Sequence, residues 1–144
     1  MEFDRKAIGR FLKMPLRKVR IDRYLYDERF PDEVKAWKFI GDKEPELRTY
    51  KGRPYYPETS LMVLVDQVTE LLVRKRFVDL DALPGLVDID MRFRKPVVPE
   101  GELLIQVKLL RNYKDKLAIF SGVIVDKKGD IVAENISKGA LIKV

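Results

Sequence analysis

Residues 59–76 carry Leu61, Leu64, Val65, Val68, Leu71 and Leu72 at helical spacing, with neither proline nor glycine among them. The pattern predicts a helix of about 17 residues, roughly 25 Å long. Arg74, Lys75 and Arg76 gather at its end, where positive charge suits the helix dipole. A helix apolar over so broad a face must be covered, and strands that can cover it follow directly. Val87, Ile89, Met91 and Phe93 alternate with Asp88, Asp90, Arg92 and Arg94, and Leu103, Ile105, Val107 and Leu109 alternate around Gln106 and Lys108; both read as strands with one wet face. Residues 117–125 are almost wholly apolar, as a central strand would be, and residues 131–144 form a last strand. Residues 112–116 and 126–130, the latter around Gly129, read as turns. Three successive hairpin-length connections predict antiparallel pairing. A long antiparallel sheet curled around one buried helix is the economical packing, an α+β fold.

Ahead of the helix, apolar residues at 3, 7, 8, 11 and 12 predict a short amphipathic helix ended by Pro15. Residues 19–26 and 34–40 read as strands, and residues 41–57, with three prolines and two glycines, as loop. No repeat or flexible linker divides the chain, so one domain spanning 1–144 is expected. The longest apolar run is five residues, far short of the ~18 of a membrane span, and the first ten residues hold no apolar leader core; a cytoplasmic protein is expected. The chain has no cysteine and no histidine, which removes thiolate chemistry, the commonest acid/base and the commonest metal ligand. No cofactor is expected. The net charge is +6, but the charges are interspersed, and aromatics are not interleaved with basic residues on a platform, which argues against nucleic acid. Charged residues make up 36%, while Asn and Gln total four, a balance found in proteins of hot environments.

Several fragments, in order, resemble the FabZ/FabA-type 3-hydroxyacyl-acyl-carrier-protein dehydratases. Ile21-Asp22-Arg23 is similar to the V-D-R of that family, Glu44-Pro45 to its N-E-P, and Gly52-Arg53-Pro54-Tyr55-Tyr56-Pro57 to its G-R-P-x-M-P. Arg92 to Leu103 follows R-F-R-R-P-V-x-P-G-D-x-L, and Val132-Ala133-Glu134 follows V-A-E. The resemblance implies a hotdog fold, a sheet wrapped around the central helix, with two subunits pairing edge to edge through a strand near 87–93. It implies a homo-oligomer, at least a dimer. It also implies an acyl thioester, on acyl-carrier protein or coenzyme A, as ligand, and dehydration to the trans-2-enoyl form as the reaction.

The departures fall on the catalytic positions. The family's basic histidine is matched by Thr49, and its acid, fourteen residues on, by Val63. A glycine at the helix start is replaced by Glu58. Neither Thr49 nor Val63 can move a proton at neutral pH, so little dehydratase activity is expected; the alternatives are a thioesterase using a helix carboxylate, or a non-enzymatic acyl-thioester binder or structural partner. The candidates for relocated catalytic groups are Asp66, Glu70 and Glu58. At 100° per residue Val63, Gln67 and Glu70 share a stripe, with Asp66 some 60° off it. A carboxylate held in an apolar tunnel has a raised pKa and can serve as acid or base. Hotdog thioesterases use a helix carboxylate in this region to activate water, which favours Asp66. Glu70 can equally pair with Arg74, and Glu58 suits a helix start. The resemblance further implies substrate contacts at Tyr50, Gly52, Pro57 and Gln67, and carrier or phosphate contacts at Arg94 and Lys95. Asp88 with Asp90, and Asp79 with Asp81, share faces if extended; a solvated surface explains them better than a metal site.

Overall fold

The computed structural model describes residues 2–12, 14, 18–78 and 82–143. The chain opens with strand β1 (Glu2–Asp4), helix α1 (Arg5–Leu12), strand β2 (Arg23–Leu25) and strand β3 (Glu33–Ile40). A small hairpin, β4 (Arg48–Tyr50) and β5 (Arg53–Tyr55), leads into helix α2 (Glu58–Arg76). Four long strands complete the chain: β6 (Ala82–Phe93), β7 (Gly101–Tyr113), β8 (Leu117–Val125) and β9 (Ile131–Lys143). Seven strands form one antiparallel sheet in the order β1-β2-β3-β7-β8-β9-β6.

The core lies between α2 and the inner face of this sheet. Leu64, Val68, Leu71 and Leu72 of α2 are fully buried, facing Ala36, Ile105, Val107, Phe120 and Ile124. The period-2 burial of β3, β7 and β8 against the helical period of α2 is the pattern expected of a sheet with one packed face. The central helix and the four late strands thus stand where the apolar periodicities put them.

Four expectations are corrected. Phe3 belongs to β1, and α1 begins only at Arg5, where the Asp4 carboxylate accepts a hydrogen bond from the Ala7 backbone N–H at 2.9 Å; a capping aspartate outweighs the apolar period there. Pro15 lies outside the described residues. Of the strand expected over 19–26, only Arg23–Leu25 pairs. The expected loop 41–57 contains a hairpin, turned by Lys51 and Gly52, both at positive φ (49° and 75°), as a two-residue hairpin turn requires. Finally, β6 does not pair with its successor β7. It crosses to the far edge beside β9, while β7 pairs with β3.

Gly122 marks the closest approach of the sheet's inner face to its neighbours. A Cβ there would stand 2.1 Å from the Asn135 Oδ1 and 3.4 Å from a methyl of Val65 on α2. Gly122→Ala is expected to cost about 1–3 kcal/mol in thermal or urea unfolding, as overpacking does. Shortening the obstructing side chain with Asn135→Ala in the same chain should return most of that loss, a coupling read from the double-mutant cycle.

Candidate functional site

Helix α2 sorts the candidate acids by direction. Thr59, Met62, Val63 and Asp66 line one wall of a pocket of about 270 Å³, and Ile89 of β6, Phe120 of β8 and Ser137 of β9 line the facing wall. The pocket is mostly apolar, and among the described residues lining it Asp66 is the one carboxylate. Its volume lies just below the ~300–1,000 Å³ of sites that enclose a whole small ligand, and so suits one portion of a larger one. Val63, 41% exposed, and Asp66 also face outward beside the β6 edge, leaving the pocket half open. Even so, surrounding protein strips enough water from Asp66 that desolvation raises its carboxyl pKa above the ordinary range.

The pocket-facing stripe of α2 is Thr59–Val63–Asp66, not Val63–Gln67–Glu70. Gln67 turns the other way and is buried. Its Oε1 accepts from the Arg20 backbone N–H at 2.8 Å, and its Nε2 donates to the Lys18 carbonyl at 2.7 Å. Gln67 therefore ties α2 to the segment before β2, with both ends of its amide engaged. Glu70 lies beyond the pocket and accepts from the Arg74 Nη2 at 3.2 Å. Desolvation raises its pKa, opposed by Arg74 and reinforced by the charge of Asp66. Glu58 is exposed in the first turn of α2 and borders a separate depression with Tyr55, Phe93 and Arg94.

The positions implied by the dehydratase motif are scattered. Thr49 and Tyr50 sit on the exposed β4–β5 hairpin, Tyr50 being 68% exposed, and neither lines the apolar pocket. Gly52 makes the hairpin turn, and Pro57 begins α2 as its N-cap. Arg94 is paired with Glu134, and Lys95 bridges Asp126 at 2.7 Å and Asp130 at 3.2 Å. Those two charges are matched within the chain. At the end of α2, Arg76 pairs with Asp32 and Lys75 lies over the Phe3 and Phe11 rings. Asp88 and Asp90 are exposed on the β6 edge strand; Asp79 and Asp81 lie outside the described residues.

Ser137 escaped sequence reasoning. It is 4% exposed, it lines the pocket, and its hydroxyl has no hydrogen-bond partner among the described residues. Two residues earlier on β9, Asn135 is 5% exposed and equally unpartnered.

No family model matches the chain, and no curated protein matches it. Solved structures do. A thioesterase from Haemophilus influenzae superposes with a TM-score of 0.77 at 10% identity, over 98% of this chain and 92% of that one. Zebrafish thioesterase superfamily member 2 gives 0.75 at 15% identity, over 96% and 95%. A hypothetical thioesterase from Streptococcus pneumoniae, solved with coenzyme A, gives 0.73 at 14% identity, over 95% and 98%. At these identities the likeness establishes the architecture: the chain has the hotdog fold. No helix among the described residues is long and apolar enough to cross a membrane.

Proposed function

We infer that the chain binds an acyl thioester and hydrolyses it, with Asp66 as general base. The observation that carries this reading is the placement of Asp66, a carboxylate with a raised pKa on α2, in a mostly apolar pocket sized for part of a ligand. Asp66 takes a proton from water as the water oxygen attacks the thioester carbonyl carbon. The tetrahedral adduct then expels the thiolate, which receives that proton, leaving a carboxylic acid and a free thiol. A raised pKa brings the base nearer neutrality, where proton transfer in both directions is efficient. Dehydration is less well served. It needs one group to remove the α-proton and another to protonate the departing hydroxyl, yet Val63 occupies the pocket where the dehydratase acid is expected, and Thr49 stands outside it.

Coenzyme A is the favoured carrier. The fold is shared with a thioesterase solved with coenzyme A. With Arg94 and Lys95 internally paired, Arg48, Lys51 and Arg53, on the exposed hairpin that precedes the pocket-bearing helix, are among the cations available to its phosphates. The direct test is thiol release from short- and long-chain acyl-coenzyme A substrates, read with a thiol reagent; a chain without cysteine contributes no background. Release above the buffer rate supports hydrolysis, and none across the series removes the catalytic step and leaves binding of the acyl thioester to be decided by calorimetry.

A dimer belongs to the same proposal. β6 ends the sheet with twelve residues of unpaired edge, a length that proteins seldom leave uncovered. Val87, 62% exposed on β6, and Val63 on α2 extend the apolar surface beside the pocket, so a second copy along β6 would close it. Sedimentation at micromolar concentration should show a dimer or a larger assembly, with a stable monomer as the contrary result.

A further inference from the structure

We propose that Ser137 holds the acyl carbonyl, its hydroxyl donating to the carbonyl oxygen from the sheet wall while Asp66 acts from the helix wall; this assignment rests on the acyl-thioester reading. The inward-facing residues of β9 around it, Ala133, Gly139 and Leu141, are small or apolar, as a sheet packed under a helix requires. Ser137 and Asn135 break that run with buried polar groups that no atom of the described residues satisfies. Such groups are uncommon in folded proteins, and each destabilises unless a ligand or water completes it.

Chemistry selects Ser137 from the pocket lining. A thioester carbonyl, and the oxyanion it becomes, must be met by a donor. Asp66 as carboxylate is an acceptor only. The Thr69 hydroxyl already donates to the Val65 carbonyl at 2.8 Å, and Thr59 is exposed at the start of α2. Among the described residues lining the pocket, Ser137 is the buried side-chain donor without a partner. A serine hydroxyl reorients among staggered positions without moving the backbone, and a water resting on it is exchanged for the carbonyl oxygen at little cost. In hydrolysis the same hydrogen bond strengthens as negative charge develops on that oxygen.

The test compares wild type with Ser137→Ala on two coenzyme A analogues at matched short and long acyl lengths. One is a ketone in which CH₂ replaces the thioester sulfur, keeping the carbonyl; the other is a thioether that lacks the carbonyl. Calorimetry should show the ketone weakened about five- to tenfold, the effect of one hydrogen bond, and the thioether unchanged. The melting temperature should stay within about 2 °C, because no bond inside the protein is lost. Where wild type hydrolyses the thioester, kcat should fall by about a hundredfold, as loss of an oxyanion donor does, and KM should rise by no more than the about five- to tenfold seen for the ketone. Equal effects on both analogues, or none on either, overturn the assignment to Ser137 and leave the acyl-thioester reading standing. Wild-type binding of neither analogue overturns that reading, and this assignment with it. Ketone-selective loss in a protein that hydrolyses nothing supports Ser137 and removes only the catalytic step at Asp66.

Discussion

Asp66→Asn is expected to lower acyl-coenzyme A hydrolysis by at least about a hundredfold, the lower range for losing a positioned general base. Acyl-coenzyme A binding should stay close to that of wild type. Asparagine keeps the shape and can still hydrogen bond but cannot accept a proton at neutral pH, and the apolar wall made by Met62, Val63, Ile89 and Phe120 is untouched. Stability should move the other way. Desolvation raises the pKa of Asp66 in the folded chain above its unfolded value, so the folded state holds its proton more tightly. Stability is therefore lost as pH rises from the unfolded pKa through the folded one, and above both the full penalty is present. Replacing the carboxylate with a neutral amide removes that penalty, and the melting temperature of Asp66→Asn should exceed wild type at pH 7 by more than at pH 3. The kcat/KM profile of wild type should have its acid limb above the ordinary carboxylate range, because the base works only when deprotonated. An unchanged rate with an unchanged melting temperature would make Asp66 an ordinary surface acid and shift attention to Glu70 or Glu58.

How far the sequence carried this picture depended on which physical signal each part used. Leu64, Val68, Leu71 and Leu72 announced a buried helix because burial of one face repeats every three to four residues, and they form its core. The late strands were legible through alternation. The far-edge position of β6 was not, because a connection short enough for a hairpin says nothing about which neighbour wins the pairing; β9 outcompetes β7 over the whole of β6. Of the three candidate carboxylates the sequence offers, one, Asp66, lines the apolar pocket. Asp66 was singled out, but the stripe drawn through Gln67 and Glu70 missed that Gln67 faces the segment at 18–20. Ser137 was hidden by parity. Ile136 and Ile142, at the alternate positions of β9, are about half exposed, so the apolar residues of that strand advertise the outer face as the core. Only the β8 register, which sets Ser137 opposite Phe120 and Asn135 opposite Gly122, turns the polar residues inward.

The largest expected loss of stability comes from a residue that no motif marked. Lys38 lies on β3 between the buried residues Ala36 and Ile40, and its Nζ is 3.2 Å from the Glu44 carboxylate; the two side chains are only 7% and 12% exposed. Glu44 belongs to the turn after β3. Two residues on, Glu46 pairs with Arg20 and accepts a hydrogen bond from Ser60 Oγ at 2.5 Å in the first turns of α2. The two glutamates thus fasten residues 41–47 to β3 on one side and to the start of α2 on the other. Pro57 offers no side-chain cap at that helix end, so this anchorage helps place Thr59 and the pocket wall behind it. Lys38→Met keeps the length and apolar stem of lysine but leaves the Glu44 carboxylate buried and unpaired. Breaking a buried pair in this way costs about 3–5 kcal/mol, or roughly 10 °C in melting temperature for a chain of this size. Adding Glu44→Gln in the Lys38→Met background removes the stranded charge and should restore more than half of the loss, read by urea unfolding in a double-mutant cycle. A single Lys38→Met variant as stable as wild type would mean that solvent reaches the pair freely, and that of the two glutamates only Glu46 anchors the turn.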